Sequence, residues 1–352
     1  MNRCSRAAFQ TGMTLLEILI AMSIGLFLLA GVTQIFIGSK QTYRLQEAMS
    51  RVQENSRFAM DFISRDVRMA GYMGCYAGGG IENLLNDPTN TGWNLNSLVN
   101  GFDNVAAGFA TIPNVVVNTD VIIVKELETA NTPVTALHDG GVSPTGALTV
   151  DSSFNSGCTA TDCHKGEILL VTDCSQASLF QITDVQTSGA NLTVAHTNSN
   201  TFTPGNNSAS ISNSYSTDAQ AYRLQTYAYY IRMNSATPSV PSLYRSLLQT
   251  AGGITLALTP EELVEGIENL QILYGADTDA DGTANYYVPA GTAGLNMSQV
   301  VAVRVSLLAR SLSDRVTSTP VSYNYNFATT TPADRRLRRV VTSTIALRNR
   351  LL

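Results

Sequence analysis

The chain has 352 residues, of which 44% are hydrophobic and only 14% are charged. This length excludes a disulfide-stapled miniprotein and fits one large domain or two ordinary ones. The 22 basic and 27 acidic residues give a net charge of −5, so the composition holds no positive surplus for a nucleic-acid backbone and argues against a nucleic-acid-binding protein.

An apolar segment near the N-terminus predicts a transmembrane helix. Residues 15–37 contain one charged side chain, and at about 1.5 Å per residue they match about 30 Å of hydrocarbon. The apolar region of a secretory signal peptide, at about 7–15 residues, is shorter than this run. Arg3 and Arg6 precede the segment, and the positive-inside rule keeps residues 1–12 in the cytoplasm and places the rest of the chain across the membrane. We therefore predict a membrane span over residues 13–37.

A single carboxylate, Glu17, lies close to the start of this apolar segment. A carboxylate in lipid costs about 2.5–3.5 kcal/mol on insertion scales, and such a residue is a functional candidate. The alternative is a glutamate that only reaches for the lipid headgroups near a helix end. The run Gly12-Met13-Thr14-Leu15-Leu16-Glu17, after a short basic leader, resembles the class III signal of type IV pilins and type II secretion pseudopilins.

That resemblance implies a leader over residues 1–12, which a membrane-embedded prepilin peptidase removes by cutting between Gly12 and Met13. It also implies methylation of the new amino terminus, with Glu17 as the fifth residue of the mature chain. In a filament core of packed apolar helices, the amine of Met13 is a buried cation that Glu17 of a neighbouring subunit can neutralise. We therefore predict that Glu17 sets the axial register of assembly.

The helical period continues beyond the predicted span. Residues 38–70 contain no proline and place apolar side chains at helical spacing: Leu45, Met49, Val52, Phe58, Ala59, Phe62, Ile63 and Val67. Together with the span, this pattern predicts one helix over residues 13–70, about 87 Å long, whose amphipathic second half packs on a globular domain. Gly71 and Gly74 mark its end.

Beyond Gly71, short β-like runs replace the helical period. The clearest are residues 115–117, 121–124, 168–171, 179–182, 224–231, 299–308 and 339–347. Residues 131–220 are rich in serine and threonine, and we expect long polar loops there. The predicted fold class is α+β: a long N-terminal helix packed on a mainly antiparallel β-sheet domain over residues 71–352.

Two later passages resemble the PilW type of minor pilin. They are residues 262–275, which lead into Asp277, and residues 338–350. The resemblance implies a subunit held in the inner membrane with a periplasmic domain, which then joins other minor pilins and the major pilin in a complex that primes or caps a type IV pilus on the cell surface. Two alternatives stay open: a J-type minor pseudopilin of type II secretion, and a membrane-anchored periplasmic binding or adhesive protein that does not polymerise.

Four cysteines follow the leader, which itself contains Cys4. In an oxidising compartment, Cys75, Cys158, Cys163 and Cys174 allow two disulfides in three connectivities. We favour Cys75 with Cys174, since Cys75 directly follows the helix and its bridge would tie the helix to the sheet, and Cys158 with Cys163. A zinc site that uses Cys158, Cys163 and His164 is the alternative.

An acidic segment resembles part of an EF-hand calcium loop. Asp277, Asp279 and Asp281 occupy positions 1, 3 and 5 of that pattern, and Asn285 occupies position 9. Position 12 is Val288, which lacks the bidentate carboxylate, so a complete EF-hand is excluded. A lone calcium loop and an acidic β-turn both remain as interpretations.

The sequence carries no constellation typical of an enzyme. The three histidines are His138, His164 and His196, all in the polar middle of the chain, and the sequence holds none of the common hydrolase, metalloprotease or phosphate-loop motifs. We therefore predict a protein without catalytic activity, whose only prospective cofactor is calcium.

Overall fold

The computed structural model describes residues 12–350 except residues 77, 79, 110–111, 129–131, 136–137, 140–146, 156–163, 235–239 and 251–255. One helix, α1 (Leu15–Met69), precedes a series of β-strands. The predicted α+β class is therefore confirmed, with the helix at the N-terminus and the strands after it.

Helix α1 is a single uninterrupted helix of 55 residues, about 82 Å long. Thr14 caps its N-terminus, and Ala70, with φ −50 and ψ 129, is the C-cap that ends it. Gly71 follows with φ +75, and a Cβ there would lie 2.1 Å from Cδ1 of Leu98. Glycine is therefore required where the chain leaves the helix and turns toward the sheet.

Twenty strands follow within the described residues. They are β1 (Ile81–Asn83), β2 (Val99–Phe102), β3 (Val121–Leu127), β4 (Thr132–Pro133), β5 (His138–Asp139), β6 (Ala147–Asp151), β7 (Ile168–Thr172), β8 (Ala177–Gln181), β9 (Asp184–Ser188), β10 (Asn191–Ala195), β11 (Ser214–Tyr215), β12 (Gln220–Met233), β13 (Pro241–Thr250), β14 (Leu256–Glu265), β15 (Ile267–Ala276), β16 (Tyr286–Val288), β17 (Val300–Arg310), β18 (Tyr323–Tyr325), β19 (Ala328–Thr330) and β20 (Arg338–Ala346). Short 3-10 helices cover Ser152–Asn155, Met297–Gln299 and Arg348–Arg350.

Two sheets dominate the described part of the chain. The larger has nine strands, with β1-β8-β7-β12-β13-β14 as its main path and β2, β3 and β4 attached through β3 and β12. The smaller has four strands in the order β16-β15-β17-β20. All pairings in both sheets are antiparallel except that of β1 with β8, so the expectation of a mainly antiparallel sheet is confirmed.

The second half of α1 is buried against both sheets. Its buried apolar residues include Val52, Ala59, Met60, Ile63 and Val67. They belong to one cluster with apolar residues of the four-stranded sheet, among them Leu270, Ile272, Val303, Val305, Leu307 and Ile345. This cluster is the core that fixes the direction in which the free first half of the helix leaves the domain.

Part of the predicted apolar stripe stays exposed. Leu45 and Met49 are 36% and 47% exposed, and Phe58 and Phe62 are 43% and 39% exposed. One helical step rotates a side chain by about 100°, so Phe58 and Phe62 cannot share the buried direction of their neighbours Ala59 and Ile63. The buried face of the helix is therefore narrower than the sequence pattern indicated.

The polar middle of the chain contains strands as well as loops. Strands β6, β10 and β9 form a small antiparallel sheet, and β11 pairs with β5. A separate cluster of buried residues lies here, including Leu148, Val150, Phe180, Leu192 and Val194. The described part of this segment therefore contributes to an apolar core separate from the one beneath α1.

The strand expected at residues 115–117 does not form. Val115 makes only an isolated bridge with Arg232. Asn114 and Asn118, on either side of the run, have φ of 65° and 59°. These left-handed residues turn the chain before and after three β-branched side chains, which leaves too few extended residues for a strand.

Candidate functional site

The first half of α1 projects from the domain as a bare apolar helix. Side chains from Met13 to Ile37 are exposed, and they include Phe27 at 85% and Met13 at 70%. The helix is apolar and long enough to cross a membrane, and its most apolar window is not buried against the rest of the chain. This half of the helix indicates membrane anchoring, since water is a poor solvent for so much apolar surface.

Glu17 lies in the first turn of this helix and takes part in a reciprocal cap with Thr14. The Thr14 amide donates to Oε2 of Glu17 at 3.0 Å, and the Glu17 amide donates to Oγ1 of Thr14 at 3.3 Å. The Thr14 hydroxyl also donates to the same carboxylate at 3.1 Å. This capping box holds the carboxylate at the positive end of the helix, bonded to Thr14, the residue that follows Met13.

The capping role of Thr14 was not predicted, although its signal is present in the sequence. A threonine followed three residues later by a glutamate is the spacing of a capping box. Thr14 therefore positions the Glu17 carboxylate, which caps its own helix. Of the predicted leader, residues 1–11 lie outside the described residues.

A polar cluster joins the far end of α1 to the nine-stranded sheet. Asp66 is buried on the helix and accepts a hydrogen bond from the Tyr229 hydroxyl. Arg245 places Nη1 3.5 Å from Oδ2 of Asp66 and donates from Nη2 to Glu261 at 2.8 Å. Burial, followed by repulsion from Asp66, raises the pKa of nearby Glu126 to about 7. Because these contacts are directional, they fix the rotation of the helix against the domain.

The C-terminal turn also holds the end of α1. Nδ2 of Asn349 donates to the carbonyl oxygens of Met69 at 3.4 Å and Ala70 at 3.1 Å. Carbonyls in the last turn of a helix have no partner within the helix. The Met69 carbonyl accepts from the Tyr72 amide as well as from Asn349, and the Ala70 carbonyl accepts from Asn349. The C-terminal turn of the described chain therefore lies at the point where the end of α1 joins the sheets.

One of the two expected disulfides lies at the same junction. Cys75 is bonded to Cys174, with the sulfur atoms 2.00 Å apart. Cys174 lies in the turn between β7 and β8, so the bond ties the segment after the helix to the nine-stranded sheet, as predicted. The second expected pair, Cys158 with Cys163, lies outside the described residues.

The described member of the alternative zinc set is His164, which has protein partners of its own. It is buried, its Nδ1 lies 3.0 Å from Oε2 of Glu167, and its ring packs against Phe154 with centroids 4.6 Å apart. Arg223 contacts the same Nδ1 at 3.4 Å. These contacts place His164 within a buried polar and aromatic cluster of the middle segment.

The acidic loop after β15 brings its three aspartates together. Ligand oxygens of Asp277, Asp279 and Asp281 all lie within 4.8 Å of one another. Asp277 accepts backbone hydrogen bonds from Asp279, Ala280 and Gly282 at 3.2, 2.7 and 2.8 Å. Oδ1 of Asn285 instead accepts from Thr278, at 2.7 Å from its amide and 3.0 Å from its hydroxyl. Backbone amides therefore already stabilise the Asp277 carboxylate, and Oδ1 of Asn285 is engaged by Thr278.

Calcium titration distinguishes a weak metal loop from an acidic turn. Because two of the three carboxylates are exposed and the twelfth position is Val288, we expect calcium to raise the melting temperature of the detergent-solubilised chain only at millimolar concentration. Stabilisation at a hundredfold excess over Kd is about 2.7 kcal/mol. The double variant Asp279→Asn with Asp281→Asn should remove the rise. A constant melting temperature up to about 10 mM calcium would identify an acidic turn.

Comparison with known proteins identifies one family for the C-terminal region. Residues 228–349 match the model of PilW, described as Type IV Pilus-assembly protein W. The match begins within β12 and ends in the last 3-10 turn, so it includes the whole four-stranded sheet and the acidic loop. Searches of curated proteins and of solved structures each found no significant match. The resemblance to PilW is thus confirmed, and it supports a role in type IV pilus assembly. PilW is a family of assembly proteins and not a family of enzymes.

Proposed function

We propose that this protein is a minor pilin, processed after Gly12 and assembled into a complex that primes or caps a type IV pilus. Before assembly, α1 anchors it in the inner membrane with the β-domain in the periplasm. After assembly, it lies in the pilus with other minor pilins and the major pilin as its neighbours. The leader is removed and the new amine methylated by a prepilin peptidase.

The observation that carries this proposal is the division of one continuous helix into two environments. Residues 13–37 are exposed and apolar, whereas Val52, Ala59, Ile63 and Val67 are buried in the domain core. A helix of this kind can leave lipid and enter a bundle of similar helices without exposing apolar surface to water, because both environments are dry. The PilW match of the domain supports the same conclusion.

The geometry at the helix start supports a role for Glu17 in that bundle. An amine on Met13, once buried among apolar helices, is costly unless a carboxylate is close to it. The capping box holds the Glu17 carboxylate at the level of the helix start, directed toward the terminus. If the helices of two subunits are offset so that Glu17 of one lies level with Met13 of the other, the carboxylate and the amine pair. Any other offset leaves these two charges unpaired.

Deletion of the gene tests the proposed function. We expect cells without the protein to carry few or no surface pili, because assembly lacks a subunit of the complex that starts it, and we expect the full-length gene to restore them. Electron microscopy of whole cells and the amount of major pilin in sheared fractions measure the effect. Normal piliation together with loss of secreted enzymes would instead indicate a secretion pseudopilin, and normal piliation with normal secretion would indicate an anchored protein that does not polymerise.

A further inference from the structure

The last strand of the domain, β20, has one unpaired edge. It pairs with β17 along its whole length, in a register without a bulge. The Leu347 amide donates to the Val301 carbonyl and the Ser311 amide to the Leu337 carbonyl, both at 2.8 Å. Antiparallel pairs alternate between bonded and non-bonded positions, so odd-numbered residues of β20 bond to β17. The amides and carbonyls of the even-numbered residues therefore point to the opposite side: Arg338, Val340, Thr342, Thr344 and Ala346.

The structure closes the other edge of this sheet but leaves the β20 edge open. On the far side, the Asp120 amide donates to the Leu270 carbonyl at 2.9 Å, and the Ile272 amide donates to the Asp120 carboxylate at 2.7 Å. Strand β16 pairs with the rest of β15. Within the part of the chain that the structure describes, no strand pairs with the outer side of β20. Residues 340–346 of this edge contain no proline and no charge, so the usual protections of an edge strand are missing.

An exposed aromatic residue lies beside this edge. Strands β18 and β19 form a hairpin whose two turn residues are Asn326 and Phe327, with φ of 48° and 61°. Asn-Gly is the preferred pair in such a turn, because a bulky side chain is disfavoured in the left-handed region. Phe327 nevertheless occupies the second position and is 97% exposed. Phe327 therefore combines an unfavourable backbone conformation with an aromatic ring that the described residues do not bury.

The hairpin is held rigidly over the outer face of the sheet. The Tyr325 hydroxyl donates to the Ser306 carbonyl at 2.9 Å, and Nδ2 of Asn326 donates to Gln271 at 2.9 Å. Between hairpin and sheet lies a groove of about 310 Å³, whose lining includes Phe327 together with Val340 and Thr342 of β20. The exposed ring and the open edge therefore belong to one surface, which we call the β20 surface.

The positive charge at this surface indicates that its partner carries acidic side chains. The chain has six arginines and no acidic residue from Arg335 to Leu352. Arg338 is paired with Glu268 and Asp334, at 2.7 and 2.5 Å, but Arg339 and Arg348 are exposed at the two ends of β20, and no carboxylate pairs with them among the described residues. A second copy of this chain would add the same arginines, so charge complementarity favours a different chain with acidic side chains.

We propose that the β20 surface binds an extended, acidic strand of a different subunit of the pilus assembly complex, which adds to the open edge of β20 and packs on Phe327. This inference rests on the proposed function. Main-chain hydrogen bonds to the even-numbered residues supply the attraction, and the arginines and Phe327 select the partner. The strand that binds completes the four-stranded sheet as a fifth strand.

Two substitutions separate binding from folding. Thr342→Pro removes an amide that points outward, so all backbone hydrogen bonds between β20 and β17 are kept. Thr342→Ala is its matched control, because it loses the same side-chain hydrogen bond to Ser306 but keeps the amide. Phe327→Gly gives the turn its preferred Asn-Gly pair. We therefore expect Phe327→Gly to keep or raise the melting temperature of the full chain while it weakens binding.

The experiment places a photocrosslinking amino acid at Asn324, beside the groove, in the full-length protein in its own cells. We expect a crosslink to an acidic, extended segment of another protein that carries its own class III signal, identified by peptide mass spectrometry. Thr342→Pro and Phe327→Gly should each reduce the amount of this product about tenfold, which corresponds to a loss of about 1.4 kcal/mol of binding free energy. Thr342→Ala should leave the amount nearly unchanged. A crosslink to a second copy of this chain, or none, would overturn the proposal.

The pilus fraction distinguishes failure of this inference from failure of the proposed function. If the unmodified chain is found in sheared pili, but Thr342→Pro and Phe327→Gly enter pili and crosslink as well as it does, then the β20 surface is not a binding site and the minor-pilin function stands. If the unmodified chain is absent from pili, the function itself is wrong. Melting temperatures measured in parallel show whether the proline variant is folded, and Phe327→Gly decides the question if it is not.

Discussion

Replacing Glu17 with glutamine should abolish incorporation of the protein into pili without affecting leader removal or folding. Glutamine at this position keeps the capping box with Thr14, because its amide can still accept the Thr14 hydrogen bond, but it carries no charge. A buried amine on Met13 would then lack its counter-charge. Removing one partner of a buried ion pair costs about 3–5 kcal/mol, which corresponds to roughly a hundredfold to several thousandfold in association.

Thr14→Ala is the matched control, since it removes the cap and keeps the carboxylate. Loss of a capping residue costs about 0.5–2 kcal/mol, so this variant should assemble at reduced but measurable levels. Immunoblots of sheared pili report incorporation, and the size of the membrane-bound chain reports leader removal. If Glu17→Gln assembled normally while Thr14→Ala did not, Glu17 would serve only as a helix cap.

Removing the disulfide between Cys75 and Cys174 should lower the stability of the β-domain strongly. The two cysteines are 99 positions apart, and closing a loop of about 100 residues is worth about 4.7 kcal/mol in the chain-entropy account. We expect the double variant Cys75→Ser with Cys174→Ser to melt of the order of 10 °C below the unmodified protein. Differential scanning fluorimetry of the detergent-solubilised chain measures the shift.

Reduction provides the control for this prediction. Dithiothreitol should lower the melting temperature of the unmodified chain toward that of the double variant and should change the double variant much less. Because the bond joins the segment after α1 to the turn between β7 and β8, its loss should also loosen the attachment of the helix, visible as faster hydrogen exchange near Gly71. Equal melting temperatures with and without reductant would contradict a structural role for the bond.

Some elements could be predicted because one physical signal dominated them. The helix was predictable because an apolar run over residues 15–37 leads without proline into the helical periodicity of residues 38–70. The long central strands were predictable from runs of β-branched and aromatic residues such as 224–231. The bond between Cys75 and Cys174 was predictable because Cys75 follows the helix end directly. In each case, local sequence and tertiary packing favour the same structure.

Other elements depended on contacts that the sequence does not display. Phe58 and Phe62 are exposed because the sheets cover only part of the helix surface. In the polar middle, strands form because buried residues such as Leu148 and Val194, which alternate with polar residues, pack into a common core. The open edge of β20 is a property of the sheet order. Thr14 and the turn at Asn114 and Asn118 were readable from known motifs but were outweighed by the apolar residues beside them.

If a processed, membrane-anchored chain enters the pilus, then sheared and purified pili must contain its mature N-terminal peptide. Mass spectrometry should find a peptide that begins at N-methylated Met13, with no trace of residues 1–12. A chain that keeps residues 1–12 and is found only in the membrane fraction would contradict both the processing and the assembly that we propose.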